Sequence, residues 1–311
     1  MIFFEKFLKY FFYSELGKPL SFYKIFFLDT HKKYIHNWIS KSIDKNDIIL
    51  DIGANKFPYT KYLRVKSIFG IDLPSESQGY LGWTKEKIDK ILRKKIIYPI
   101  WANCEQMPFA NNSFNKIFMI EVIEHLEQDE LALSEVSRIL TKKGKFFLST
   151  PNGDEVENIN PYHLRHYNQK SLGDLLDKYF NIVTIRKIFP NKKLFIKQYS
   201  IKKKFSFIGI FWKIIYDLWF YCIGKNYSYE EYTLIAECSY PKRKFEKEIQ
   251  NSKYFDIVVC PDCKGRLIKQ FNNTNTYDLY CRKCKEIYQL ELNIPFLINK
   301  IFHHQKGPLM H

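Results

Sequence analysis

The sequence predicts an α/β protein: a doubly wound, mostly parallel, seven-stranded sheet followed by a small domain of paired cysteines. Three observations predict it. Short apolar runs of strand length alternate with helix-like segments, the pattern of a parallel sheet with helices on both faces. The first two runs, IILDIGAN (48–55) and SIFGIDL (67–73), each carry an Asp at the carboxyl end. From Asp256 the composition changes, and four Cys fall in two close pairs.

The elements follow in order. Residues 1–46 are aromatic and helical in pattern, with Phe3, Phe4, Phe7, Leu8, Phe11 and Phe12 at helical spacing. The sheet domain takes residues 47–240. After the first two strands come IIYPIW (96–101), KIFMIEV (116–122) and KFFLST (145–150), with helix-like TKEKIDKILRKK (84–95) and QDELALSEVSRIL (128–140) between them. NQKSLGDLLDKYF (168–180) reads as a helix, NIVTIRKIF (181–189) as a strand and YTLIAECSY (232–240) as the last strand. An insertion over 190–227 separates those two strands. Charged residues 241–255 form a linker, 256–300 the cysteine domain and 301–311 a tail.

Composition narrows the class. At 46% hydrophobic and 26% charged, with 12 Gly and 12 Pro in 311 residues, the chain is neither disordered nor collagen-like. The net charge is +16, but 41 of the 49 basic residues are Lys, and Ile, Asn, Phe and Tyr are abundant beside them. That reads first as biased residue usage and second as a surface for anionic partners. Seven Cys, three scattered and four clustered, do not form a secreted disulfide framework. Glu5, Lys6 and Lys9 interrupt the N-terminal apolar stretch, so it is no signal peptide, and no window of 18 uncharged apolar residues spans a membrane. The expected location is cytoplasmic, including a peripheral position on the inner membrane face.

Open parallel sheets bind ligands at the carboxyl ends of their strands. Strand one ends in Asp51-Ile52-Gly53-Ala54-Asn55, and strand two in Asp72, placed to accept from a ribose diol. A dinucleotide needs several glycines for its pyrophosphate, and here Asn55 and Phe57 stand where more would be. A phosphate-free nucleoside, S-adenosylmethionine (SAM), needs less clearance, and the Asp51 carboxylate suits its ammonium, directly or through water.

The blocks ILDIGAN, IFGIDL, ANCEQMPFANNSFNKIFMIEVIEHLEQDELALSEVSRILTKKGKFFLSTPN and NPYHLRHYNQKSLGDLL resemble the Rossmann-like class I SAM-dependent methyltransferases, of the type related to the ubiquinone-biosynthesis enzymes. The resemblance implies that Asp51, Gly53, Ala54 and Asn55 surround the methionine part. It places Asp72 and Leu73 at the ribose and adenine, Asn103, Cys104 and Glu105 along the adenine edge, and Glu121 near the reacting methyl. Asn55, Asn103, Asn115 and Lys145 depart from the family's usual Gly, Asp, Asp and Gly.

Methyl transfer from a sulfonium is an in-line displacement that depends on positioning. A hydroxyl acceptor adds the need for a base, and His is the natural one. His125, His163 and His166 are the catalytic candidates, His125 otherwise being structural and the other two a loop clamp. Arg165 and Tyr167 are candidates for gripping an anionic or sugar-like acceptor.

Cys260-Pro-Asp-Cys263 and Cys281-Arg-Lys-Cys284 present four thiolates to one tetrahedral metal, zinc first and iron second. VVCPDCKGRL…LYCRKCKEIYQLELNIPFLI resembles the Trm112-like zinc ribbons, which implies a module that stabilises methyltransferases and a structural rather than catalytic metal. Within the insertion, FSFIGIFWKIIYDLWFYCIG (205–224) is almost wholly apolar, fitting an interfacial helix, a cap over the acceptor or a dimer contact. The expected function is methyl transfer to oxygen of a small-molecule, glycan or lipid-linked acceptor. The alternatives are RNA or protein methylation with the basic ribbon gripping substrate, and a non-catalytic binding protein. No Asn-Pro-Pro-Tyr-type motif supports nucleic acid, since IEVIEH stands after strand four.

Overall fold

The computed structural model describes residues 30–74, 83, 96–154, 162–188, 233–242, 254–271, 277–291 and 294–298. The expected helix over 84–95, the aromatic stretch 205–224 and the tail 301–311 lie outside them. The chain forms two units, one of residues 1–42 with 190–229 and one of residues 43–189 with 230–311. In the first unit, one helix is described, α1 (Thr30–Ser40). Among the described residues, no helix is long and apolar enough to cross a membrane.

The second unit is built on one sheet. Its strands are β1 (Ile48–Ile52), β2 (Ser67–Asp72), β3 (Ile97–Ala102), β4 (Phe114–Ile120), β5 (Leu140–Pro151), β6 (Phe180–Ile188) and β7 (Thr233–Pro241). They lie in the order β3-β2-β1-β4-β5-β7-β6. β1 to β5 run parallel, and β7 lies antiparallel between β5 and β6. Ile49, Leu50, Phe69, Ile117 and Phe118 are buried because parallel strands are covered on both faces. The order reverses between β1 and β4, which places the ligand crevice at the carboxyl ends of those strands.

Helix α2 (Asp129–Ile139) buries Ala132, Leu133, Val136 and Ile139 and starts on Asp129 and Glu130, which suit its positive N-terminus. α3 (Gln169–Leu176) opens with a capping box between Asn168 and Ser171. One expectation shifts. Leu140 opens β5 directly after α2, pairing with Phe114 across a register shift. Between β1 and β2, residues 53–62 form successive turns.

The cysteine region continues the same unit. After the short helix α4 (Tyr254–Ile257), β8 (Leu267–Phe271), β9 (Tyr277–Cys281) and β10 (Ile287–Tyr288) form an antiparallel sheet. β11 (Leu290–Glu291) and β12 (Ile294–Leu297) then extend the large sheet to nine strands, β12 lying parallel to β3 with Phe296 opposite Trp101.

Candidate functional site

The loop after β1 is built from left-handed backbone. Gly53 (φ 65°), Asn55 (φ 43°) and Phe57 (φ 52°) alternate along it. Gly53 and Ala54 both donate N–H to the Ile71 carbonyl of β2. A Cβ on Gly53 would lie 2.4 Å from Val122 Cγ2, so space and backbone both demand glycine there. Asn accepts this conformation more readily than most residues, which explains Asn55. Phe57 does not, and its buried ring repays the strain by lying over Gly70 of β2 and stacking on Trp83 with centroids 5.9 Å apart.

Asp72 ties the two loops together. Its carboxylate accepts from Asn55 N–H and Leu73 N–H, both at 2.9 Å. The Trp83 indole donates to the Asn55 carbonyl, fixing the loop from the other side. Asp51 lies beneath, buried, and accepts from Thr60 Oγ1 at 2.5 Å. Burial pushes its carboxyl up to about 7, against the Thr60 hydrogen bond, and the charge of Asp72 adds to the rise.

At the end of β3, Asn103 Oδ1 accepts from Glu105 N–H at 3.0 Å and caps a short 3₁₀ turn over Cys104–Gln106. Glu105 Oε1 accepts from Gln128 N–H at 3.0 Å, at the start of α2. Cys104 is half-buried and packs on the core.

A second group gathers at the ends of β4 and β5. Glu121 stands in left-handed backbone (φ 55°), and its carboxylate accepts from Ser149 Oγ at 2.6 Å. Glu124 is 1% exposed and accepts from Thr150 Oγ1 at 3.1 Å. Burial, then the charge of Glu121, holds the Glu124 carboxyl well above the usual range. His125 Nδ1 lies 2.9 Å from the Tyr162 carbonyl and donates to it, leaving Nε2 at 3.9 Å from Glu124 Oε1. The His163 ring meets His125 edge-on at 4.8 Å between centroids, and His166 lies 5.9 Å from His163. Burial and the two neighbouring imidazoles hold His163 below the ordinary histidine value.

Arg165 and Tyr167, the candidates for gripping an acceptor, are engaged at the start of α2. Arg165 donates to the Leu126 and Glu127 carbonyls and lies 3.5 Å from Asp129. Tyr167 donates to Asp129 Oδ2 at 2.5 Å. Both clamp the 162–167 segment to the start of α2, a role set by tertiary placement that sequence spacing does not show.

The four cysteines converge, their sulfurs all within 4.8 Å of one another. Cys260 and Cys284 sulfurs are 3.6 Å apart and Cys263 and Cys281 sulfurs 3.4 Å. Four thiolates around zinc, at about 2.3 Å each, lie roughly 3.8 Å apart, whereas a disulfide needs about 2.0 Å. The two knuckles match: Lys264 and Lys285 N–H donate to the Cys260 and Cys281 carbonyls, and both lysines are left-handed. A Cβ on Gly265 would press on two of the sulfurs, at 3.1 and 3.3 Å. These residues fit a structural zinc ion, whose four positions they would fill.

A network missed by sequence reasoning joins this module to the sheet domain. Lys264 Nζ donates to Glu135 Oε2 at 3.0 Å and to the Met107 carbonyl at 2.9 Å. Arg138 pairs with Glu135 and donates to the Phe109 carbonyl. Despite the burial that opposes its charge, Glu135 is held below the usual carboxylate range by Arg138 and then Lys264.

The Methyltransf_11 family, described as a methyltransferase domain, matches residues 50–148. Over 154 residues the chain is 30% identical to YrhH of Bacillus subtilis (strain 168), a protein named as a methyltransferase, covering 44% of this chain and 77% of that one. The chain belongs to the methyltransferase family. The methyltransferase is also 40% identical over 48 residues to a UPF0434 protein of Pseudoalteromonas atlantica, covering 15% of this chain and 72% of that one. Among solved structures, the YcgJ protein from Bacillus subtilis aligns with a TM-score of 0.44 and 17% identity, over 67% of this chain and 98% of that one. As a member of this family, the methyltransferase uses SAM as its methyl donor, and Asp51, Gly53, Asn55 and Asp72 meet at one edge of its sheet.

Proposed function

We propose that this methyltransferase moves the methyl of SAM to a hydroxyl oxygen of a small-molecule, glycan or lipid-linked acceptor. The observation that supports an oxygen acceptor is the group Glu121, Glu124, His125, His163 and His166 at the ends of β4 and β5, beside the switch point. A hydroxyl must lose its proton as the methyl arrives, and this group supplies carboxylates and imidazoles to handle it. The β1 loop and Asp72 hold the nucleoside, Asn103 and Cys104 border the adenine, and Glu121 orients the acceptor. The sulfur–methyl bond breaks as the oxygen–methyl bond forms, leaving S-adenosylhomocysteine.

The cysteine module acts here as a Trm112-like ribbon fused to its own client. Its metal holds the knuckles together, and β12 covers the β3 edge of the catalytic sheet. We propose the cytoplasm as its location, and the apolar composition of residues 205–224 supports contact with an acceptor at a membrane surface.

Two measurements test the reading. Calorimetry should show one S-adenosylhomocysteine per chain, lost in Asp72→Ala. Radiolabelled SAM with a panel of hydroxylated small molecules, glycans, lipid extracts and RNA should label an ether product. Absence of nucleoside binding, or label confined to RNA in a salt-sensitive manner, would refute it.

A further inference from the structure

We propose that Glu124, His125 and His163 form a second metal site, distinct from the four cysteines, that takes a divalent first-row transition ion. One ligand atom from each lies within 4.8 Å of the others. Bonds of about 2.1 Å would draw them to roughly 3.3 Å, a movement of about an ångström. Four features of the group prepare it for a cation. Glu124 is buried beside the carboxylate of Glu121, and its Oε1 lies 3.9 Å from His125 Nε2. His125 donates Nδ1–H to the Tyr162 carbonyl, which directs the Nε2 lone pair toward Glu124, the arrangement that orients metal-binding imidazoles. His163 Nδ1 is buried with no hydrogen-bond partner. The three imidazoles lie side by side, the His163 ring centroid 4.8 Å from that of His125 and 5.9 Å from that of His166.

Two imidazoles and one carboxylate favour ions such as Mn²⁺, Fe²⁺, Co²⁺ or Zn²⁺ over Mg²⁺ or Ca²⁺. Three protein ligands also leave open positions, unlike the four-cysteine site. The catalytic consequence rests on the methyl-transfer reading above. A cation there lowers the pKa of an acceptor hydroxyl placed on it. With Glu124, His125 and His163 holding the ion, the acceptor proton would pass to solvent rather than to them, as the oxygen–methyl bond forms and the sulfonium's bonding pair returns to sulfur.

The test uses the full chain with the cysteine site filled by zinc, titrated with Mn²⁺ and followed by the electron paramagnetic resonance of the free ion. One Mn²⁺ should bind per chain, with affinity reduced at least tenfold in His163→Ala and in Glu124→Gln. S-adenosylhomocysteine calorimetry on the same samples reports folding and the donor site separately. Mn²⁺ binding that is absent, or equal in all three proteins, overturns the proposal. Site-specific Mn²⁺ binding without nucleoside binding sustains the metal site and sinks the methyl-transfer reading.

Discussion

Lowering the pH from 8 to 6 should weaken S-adenosylhomocysteine binding by about tenfold, through Asp51. Its carboxyl is pushed up to about 7 by burial. About 90% of it is ionised at pH 8 and about 10% at pH 6, and the ligand ammonium binds the ionised form. Each tenfold step is about 1.4 kcal/mol. At pH 6, binding should therefore release about 0.9 proton, read from calorimetry in two buffers of different ionisation enthalpy. The free protein has the opposite trend. With a folded pKa above its unfolded value of 3.8, Asp51 contributes stability that is full below pH 3.8 and lost as pH rises through about 7. Asp51→Asn should flatten the affinity profile. A dissociation constant that is level from pH 6 to 8, or one whose slope survives in that variant, would refute the reasoning.

Other perturbations have equally direct outcomes. Gly70→Ala puts a methyl 2.2 Å from the Phe57 ring and should cost about 1–3 kcal/mol in urea unfolding, part of it recovered by adding Phe57→Ala. Gly53→Ala meets Val122 in left-handed backbone and should weaken nucleoside binding more than it lowers thermal stability. Glu135→Ala leaves Arg138 and Lys264 half-buried without their carboxylate and should cost about 3 kcal/mol, with a double-mutant cycle against Lys264→Ala showing strong coupling. A strong chelator should unfold β8–β10 and free Phe296 from Trp101, seen as new protease cuts after residue 256 and a red shift in tryptophan fluorescence.

The strands were legible because their apolar runs are short, alternate with helices and end in chemically marked loops. Asp51, Gly53 and Asp72 followed from spacing, and the four cysteines from two identical knuckles. What stayed hidden depends on partners distant in the chain. Phe296 pairs with Trp101 across nearly two hundred residues, so no local pattern announces that β12 joins the large sheet. Arg165 and Tyr167 look like acceptor-gripping residues until α2 is placed against them. Glu105, expected along the adenine, has one oxygen engaged by Gln128 N–H. Phe57 could be seen to replace a glycine, but only the small Gly70 opposite shows how the loop accommodates it.

The pairing of β12 with β3 has a consequence for regulation. A stabilising subunit supplied in trans is occupied only in proportion to its abundance, whereas one carried on the same chain is present at a fixed local concentration, in the millimolar range for a short connection. Dilution therefore cannot strip the sheet of its outer strand. With the zinc proposed for the four thiolates, control would pass to whatever reaches them, and metal supply or an oxidant would act on sheet strands that carry none of those cysteines.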